Sequence, residues 1–267
     1  MNTRHLLIVS VVALSAAPLF LAATPLDAQT VIVTPSNLQG WASATYYGPS
    51  GNDPGTGAFS GITTKFPRSG NGSAEISLTD EGRSEADWFY NFPALRTLTS
   101  LGALSFDWYT SSLSTTPAFT SPAFALALSD GTYLVWEAAY NGGFPTVPLD
   151  QWNSSNILGG NFWYTGSGPG ECGYAAAYQS LGKFNTDCYG GSAQTAGVDV
   201  FLGYGYNGAT FDGAVDNIAY GFGDAKPTVF NFEANAGSVV PEPASMSLLA
   251  TGLVGLVGIC RRKKRPR

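Results

Sequence analysis

The sequence predicts an all-β domain, a two-sheet antiparallel sandwich of jelly-roll type, flanked by two segments that stand apart from it. Three observations carry this. Apolar and polar residues alternate with period two in stretch after stretch, Gly, Pro, Asn and Asp punctuate those stretches, and none keeps a 3.6-residue period for three turns. Many strands separated by turn signals pack as two facing sheets.

The elements follow in order. Residues 30–33 begin the domain and residues 38–47 continue it. Residues 73–79 place Ala74, Ile76 and Leu78 on one side and Ser73, Glu75, Ser77 and Thr79 on the other. Leu104, Phe106 and Trp108 alternate with Ser105, Asp107 and Tyr109, and Phe124, Leu126 and Leu128 form the next apolar row. Asp130-Gly131 is a hairpin-type turn leading into residues 132–139. Residues 198–206, 211–222 and 228–233 complete the set, the last placed to pair near the N-terminal strand. Residues 87–98 are expected to hold a short helical turn around Pro93, and residues 153–197 a long glycine-rich loop.

The two ends read as targeting segments. Arg4 and His5 precede an apolar stretch over residues 6–20 and an alanine-containing cleavage region, so residues 1–28 read as a signal peptide. Residues 29–236 form the exported domain. Residues 237–267 hold Pro241-Glu242-Pro243, an uncharged run from Ala244 to Cys260, and a basic end of Arg261, Arg262, Lys263, Lys264, Arg265 and Arg267. At ~1.5 Å per residue the run makes roughly 26 Å of helix, the short end of a bilayer span. Basic clusters of this kind stay cytoplasmic.

Pro-Glu-Pro, a short apolar helix and a basic end together resemble the PEP-CTERM sorting signal of Gram-negative, exopolysaccharide-producing bacteria. The resemblance implies that an exosortase, a membrane protease-transpeptidase, cuts at the motif. It also implies an inner-membrane intermediate and delivery to the cell surface or matrix, near exopolysaccharide.

Removing both ends changes the charge. The whole chain is −6, but the middle keeps only Lys65, Arg68, Arg83, Arg96, Lys183 and Lys226 against 17 acidic residues, a net charge near −11. An acidic domain is a poor partner for nucleic acid or anionic lipid. Cys172 and Cys188, 16 apart in an oxidising compartment, are expected to form a disulfide. Zinc is disfavoured, because the middle holds neither a third cysteine nor any histidine.

The single histidine, His5, also removes Ser-His-Asp and Cys-His chemistry from the domain. The remaining catalytic option is a glycosidase pair, Asp107 and Glu137, on polar phases of two strands. The Glu-x-Asp-x-x-Glu pattern of lectin-like-fold hydrolases is absent, which favours a non-catalytic binding or structural role. Trp152, Trp163 and Tyr164, in Gly/Asn/Ser-rich surroundings, are candidate glycan contacts. Glu75, Asp212, Asp216 and Asn217 offer hard oxygen ligands for a structural Ca²⁺. Two local patterns, Gly70-Asn71-Gly72-Ser73-Ala74-Glu75-Ile76 and Phe211-Asp212-Gly213-Ala214-Val215-Asp216-Asn217-Ile218, are similar to strands of lectin-like and carbohydrate-binding-module sandwiches.

Overall fold

The computed structural model describes residues 28–47, 53–54, 57–79, 84–143, 145–166, 172, 178–203 and 209–235. The expected signal peptide, Pro241-Glu242-Pro243, the apolar run and the basic cluster lie outside these residues. Among the described residues no helix is long and apolar enough to cross a membrane.

Two seven-stranded sheets face each other. The first contains β1 (Gln29–Val33), β4 (Ala58–Thr63), β5 (Ser73–Leu78), β7 (Leu101–Thr110), β10 (Trp152–Asn156), β13 (Phe211–Phe222) and β14 (Thr228–Phe232). The second runs β11 (Trp163–Gly166), β9 (Thr132–Trp136), β8 (Ala123–Leu128), β12 (Gln194–Leu202), β6 (Ser84–Thr97), β2 (Trp41–Tyr47) and β3 (Asp53–Pro54). All pairings are antiparallel except β1 with β14, where the first and last described strands run side by side.

Period-two alternation decides what lies between the sheets. Ile76, Phe106, Phe211 and Phe232 point inward from the first sheet; Trp88, Phe124, Leu126 and Leu134 meet them from the second, all fully or almost fully buried. Trp41 and Trp88 pack edge-on against Phe232, with ring centroids 5.3 and 5.4 Å apart. The hairpin at Asp130-Gly131 forms as its sequence requires: Gly131 has φ +84°, and Asp130 Oδ1 accepts the backbone N–H of Thr132 at 3.0 Å.

Several expectations are corrected. Residues 84–97 form one strand, with no helical turn at Pro93. Pro93 is tolerated because β2 pairs only as far as Tyr90, and β12 bulges between Thr195 and Gly197; no ladder needs an N–H from position 93. The stretch expected as one long loop holds β10, β11, the start of β12 and the helix α1 (Leu181–Tyr189). Ser180 caps that helix by accepting the N–H of Lys183, and Gly190 ends it in the left-handed region at φ +56°. Cys172 is bonded to Cys188 in α1, with Cα atoms 5.4 Å apart. Phe184 and Cys188 bury the helix face against the core, and Tyr189 Oη donates toward Asp130 and Thr132 of the β8–β9 hairpin.

Candidate functional site

The two outer faces of the sandwich differ in how their charges are satisfied. On the first sheet, residues 64–72 lie across the outer face and pair off its acids. Lys65 Nζ bonds Glu75 at 3.2 Å and Asp212 at 2.6 Å. Arg68 Nε bonds Asp107 at 2.9 Å, and Asn217 Nδ2 donates to the same carboxylate at 2.8 Å. Phe66 stacks on Tyr109, while Arg68 lies over Trp152, whose Nε1 donates to the Pro67 carbonyl at 3.2 Å.

This placement undoes two sequence-based groupings. Asp107 lies on the outer face of the first sheet, and Glu137 at the end of β9 on the outer face of the second. They share no face, and a glycosidase pair cannot be built from them. The four expected calcium ligands also divide. Glu75 and Asp212 converge on Lys65, whereas Asp216 is buried and accepts the backbone N–H groups of Asn217 at 2.7 Å, Phe232 at 2.9 Å and Ser69 at 3.5 Å. The Asn217 amide is donating, so it presents nitrogen to Asp107 and Ser69. Burial pushes the Asp216 carboxyl up to about 8, against those three donors, which pull it down. Among the described residues no three His, Cys, Asp or Glu groups are placed to share a metal ion.

Asp216 instead organises the fold. It sits at a bulge in β13, where Asn217 takes φ +48°, a region open to Asn. Gly70-Asn71-Gly72 wraps the neighbouring buried Glu233: Asn71 N–H donates to its carboxylate at 2.5 Å, and a Cβ at Gly70 would overlap that carboxylate. The two local patterns singled out in the sequence therefore meet in space, at a structural knot.

The second sheet's outer face is built differently. Along β8 every outward position is alanine: Ala123, Ala125 and Ala127. Short side chains let rings lean in from both sides. Trp163 from β11 and Phe201 from β12 pack on Ala123, Ala125 and Val135, forming a small apolar layer separate from the main core. Trp163, Phe201 and Phe89 stay half-buried, and Tyr133 is 39 % exposed. Trp163 is held by its Nε1 donating to Glu137 Oε1 at 2.8 Å; burial raises that carboxyl and the indole N–H opposes the rise.

Beside this aromatic platform stand three carboxyl groups. Glu85 and Asp87 are alternate residues of β6, and Asp199 lies on β12, paired in register with Phe89. Asp87 is 4 % exposed; Glu85 and Asp199 are half-buried. The Oδ1 atoms of both aspartates are covered and have no hydrogen-bond partner. Burial first, then the charges of Asp199 and Glu85, push the Asp87 carboxyl up to about 10. Burial and Glu85 push Asp199 up to about 8, and Glu85 is raised mainly by burial, with a hydrogen bond to Asp87 opposing. Burial raises the Tyr133 phenol, with the negative charges of Asp199, Asp87 and Glu85 adding to the rise. None of these three acids forms a salt bridge with a described Lys, Arg or His.

Of the aromatic candidates from sequence, Trp163 belongs to this face, Trp152 lies under Arg68 on the other, and Tyr164 turns inward against Phe184. Sequence reasoning missed Glu85, Asp87, Phe89, Asp199 and Phe201. Their signal was alternation, since Ala86, Trp88 and Tyr90 on one phase leave Glu85, Asp87 and Phe89 on the other.

At the end of the chain, residues 239–264 match the model of a PEP-CTERM protein-sorting motif. The chain carries that sorting motif. No curated protein matches the chain significantly. Among solved structures it is similar to a family 11 carbohydrate-binding module from Clostridium thermocellum in complex with a β-1,3-1,4-mixed-linked tetrasaccharide. The identity is 14 %, the TM-score 0.39, and the match covers 73 % of this chain and 91 % of that one. It is also similar to a β-1,2-glucanase from Parabacteroides distasonis, at 12 % identity and TM-score 0.36, covering 68 % of this chain and 23 % of that one. At these values the likeness is one of architecture, and no residue or ligand is carried across.

Proposed function

We propose that the protein is exported, processed at its sorting motif by an exosortase-type protease, and placed at the cell surface or in the extracellular matrix. There its β-sandwich binds glycan without cleaving it, in association with exopolysaccharide. Residues 1–28 act as the signal peptide, residues 29–236 as the exported domain, and residues 237–267 as the removable address.

The platform of Trp163, Phe201 and Tyr133 beside Glu85 and Asp199 carries the binding part of this reading. Half-exposed rings offer stacking surfaces for the apolar faces of sugars, and adjacent carboxyl groups accept from hydroxyls. Hydrolysis is disfavoured because the carboxyl pair expected from sequence, Asp107 and Glu137, stands on two different outer faces.

A glycan array probed with the purified chain, run beside a reducing-sugar assay on the bound glycans, tests this. Binding without sugar release is expected. Release of reducing ends would make the protein an enzyme, and no glycan binding at all would remove the reading. Fractionation of cells with and without the sorting protease tests the address. A surface protein that retains Arg261–Arg267 would contradict processing.

A further inference from the structure

Trp163 stands on an edge strand. β11 is four residues long and, apart from the single Phe162–Gln179 bridge, pairs among the described strands only with β9. The indole rests on Ala123, Ala125 and Val135, whose side chains offer its N–H no acceptor. A half-buried indole with that N–H unmet would turn toward water and lose its place on the bed. Two residues after β9 prevent this. Val135 is paired in register with Trp163, and Glu137, two residues further on and still extended at φ −135° and ψ 144°, is a diagonal neighbour of the ring. Its carboxylate takes the Nε1–H at 2.8 Å. Asn141 then ties the backbones of both strand ends together. Its Nδ2 donates to the carbonyls of Glu137 at 2.9 Å and Asn161 at 3.0 Å, and its Oδ1 accepts the Asn161 N–H at 2.7 Å. Behind this clamp, a Cβ at Gly160 would stand 2.7 Å from the buried Trp136 ring, so the close approach needs glycine.

We infer that Glu137 and Asn141 are positioning residues of the platform, holding the Trp163 ring in one orientation for stacking without touching the sugar themselves. This rests on the glycan reading above and names the residues that set its tryptophan. Glu137 acts on the ring through one charge-assisted hydrogen bond, and Asn141 acts on the start of β11 through three. A ring fixed before binding loses less freedom on binding, and for one large side chain the difference is about three- to tenfold in affinity. The acceptor oxygen is what matters in this arrangement. Glutamine keeps such an oxygen at the same reach, whereas alanine has none.

The test is a double-mutant cycle on the purified full-length chain in detergent. Affinity is read by calorimetric titration with a β-1,4-glucose hexamer or, where that hexamer does not bind, with the glycan that the array binds most tightly. E137A and N141A are each expected to weaken binding about three- to tenfold, and E137Q less than about twofold. In a W163F background, which keeps a ring but has no N–H, E137A is expected to change affinity no further. In spectra of ¹⁵N-labelled chain, the indole N–H peak that W163F removes is expected to keep its place in E137Q, and in E137A to shift and exchange faster with solvent. Should E137A fail to fold by its thermal melt, N141A, at an exposed position, takes its place in the cycle.

Native affinity in the folded alanine variants, or an indole peak that E137A leaves unmoved, would overturn the inference and leave the glycan reading standing. So would an equal loss from E137A in the W163F background, because Glu137 would then act on the sugar or on the fold directly. E137Q weakening binding as much as E137A would also overturn it, since charge and not the acceptor oxygen would be at work. A hexamer that does not bind, with the array also blank, would overturn both readings.

Discussion

Asp216 accepts the backbone N–H of Phe232 at 2.9 Å, so the bulge of β13 is bonded directly to the end of β14. The same carboxylate reaches Asn217 and Ser69, joining three separate pieces of backbone through one buried group. A side chain in that position is structural, whatever its resemblance to a metal ligand.

Its removal should therefore be felt in stability. Asp216→Ala leaves three N–H donors without that acceptor, and a buried donor left unsatisfied costs about 1–3 kcal/mol. A loss of about 3 kcal/mol in a urea melt is expected, well above the ~0.5 kcal/mol typical of exposed i,i+4 pairs such as Lys183–Asp187. A melt unchanged by Asp216→Ala would show that the knot holds without its centre. A calcium-free sample with the same midpoint would agree with donors, rather than a metal, filling that carboxylate.

The acids of the platform should make stability fall as pH rises. Folding raises the carboxyl groups of Asp87 and Asp199, to about 10 and about 8, above an ordinary unfolded value near 3.8. The folded state then holds more protons than the unfolded state, and stability declines from about pH 4 upward through pH 8 and beyond. Melting temperatures measured between pH 5 and pH 9 should fall with pH in the native chain and fall less in D87N/D199N. At pH 8 the double variant should be more stable, by about 1–3 kcal/mol. A double variant with the native pH slope would place the cause elsewhere.

How far the fold was legible depends on which face a residue borders. Strands such as Ser73–Leu78 and Leu101–Thr110 alternate because one side packs and the other is polar, so their sequences announce them. The polar strand β10 and the glycine-containing β4 carry little apolar contrast, and Pro93 argued against a strand that in fact has no pairing partner there. The site was half-visible. Trp163 and Glu137 were singled out separately, but Glu137 was matched with Asp107, since local sequence does not say which strands share a sheet. Ala123, Ala125 and Ala127 read as ordinary apolar positions; only the topology makes them a bed for Trp163 and Phe201.

The disulfide should matter to α1 more than to the sheets. Cys188 lies in the helix beside Phe184, which packs against the core and near Tyr164. Closing a loop of this length contributes ~3 kcal/mol by restricting the unfolded chain. Cys188→Ser should lower stability by about that amount while leaving the far-UV β signature in place. Loss of the β signature in the folded baseline would mean that the sandwich depends on the clip.

The two outer tryptophans give the sharpest functional contrast. Trp152 is covered by Arg68 and bonded to the Pro67 carbonyl, whereas Trp163 joins the platform and bonds Glu137. If the platform holds the glycan, Trp163→Ala removes a stacking surface and should weaken binding at least tenfold, with Trp152→Ala near the native value. Both variants lose one ring–backbone or ring–carboxylate hydrogen bond and a half-buried indole, so their stability losses should be similar, about 1–3 kcal/mol each. Binding and stability are thereby separable in the same pair. Equal loss of affinity in both variants would signal general unfolding, and loss confined to Trp152→Ala would move the glycan to the first sheet, where Arg68 and Asp107 lie beside that ring.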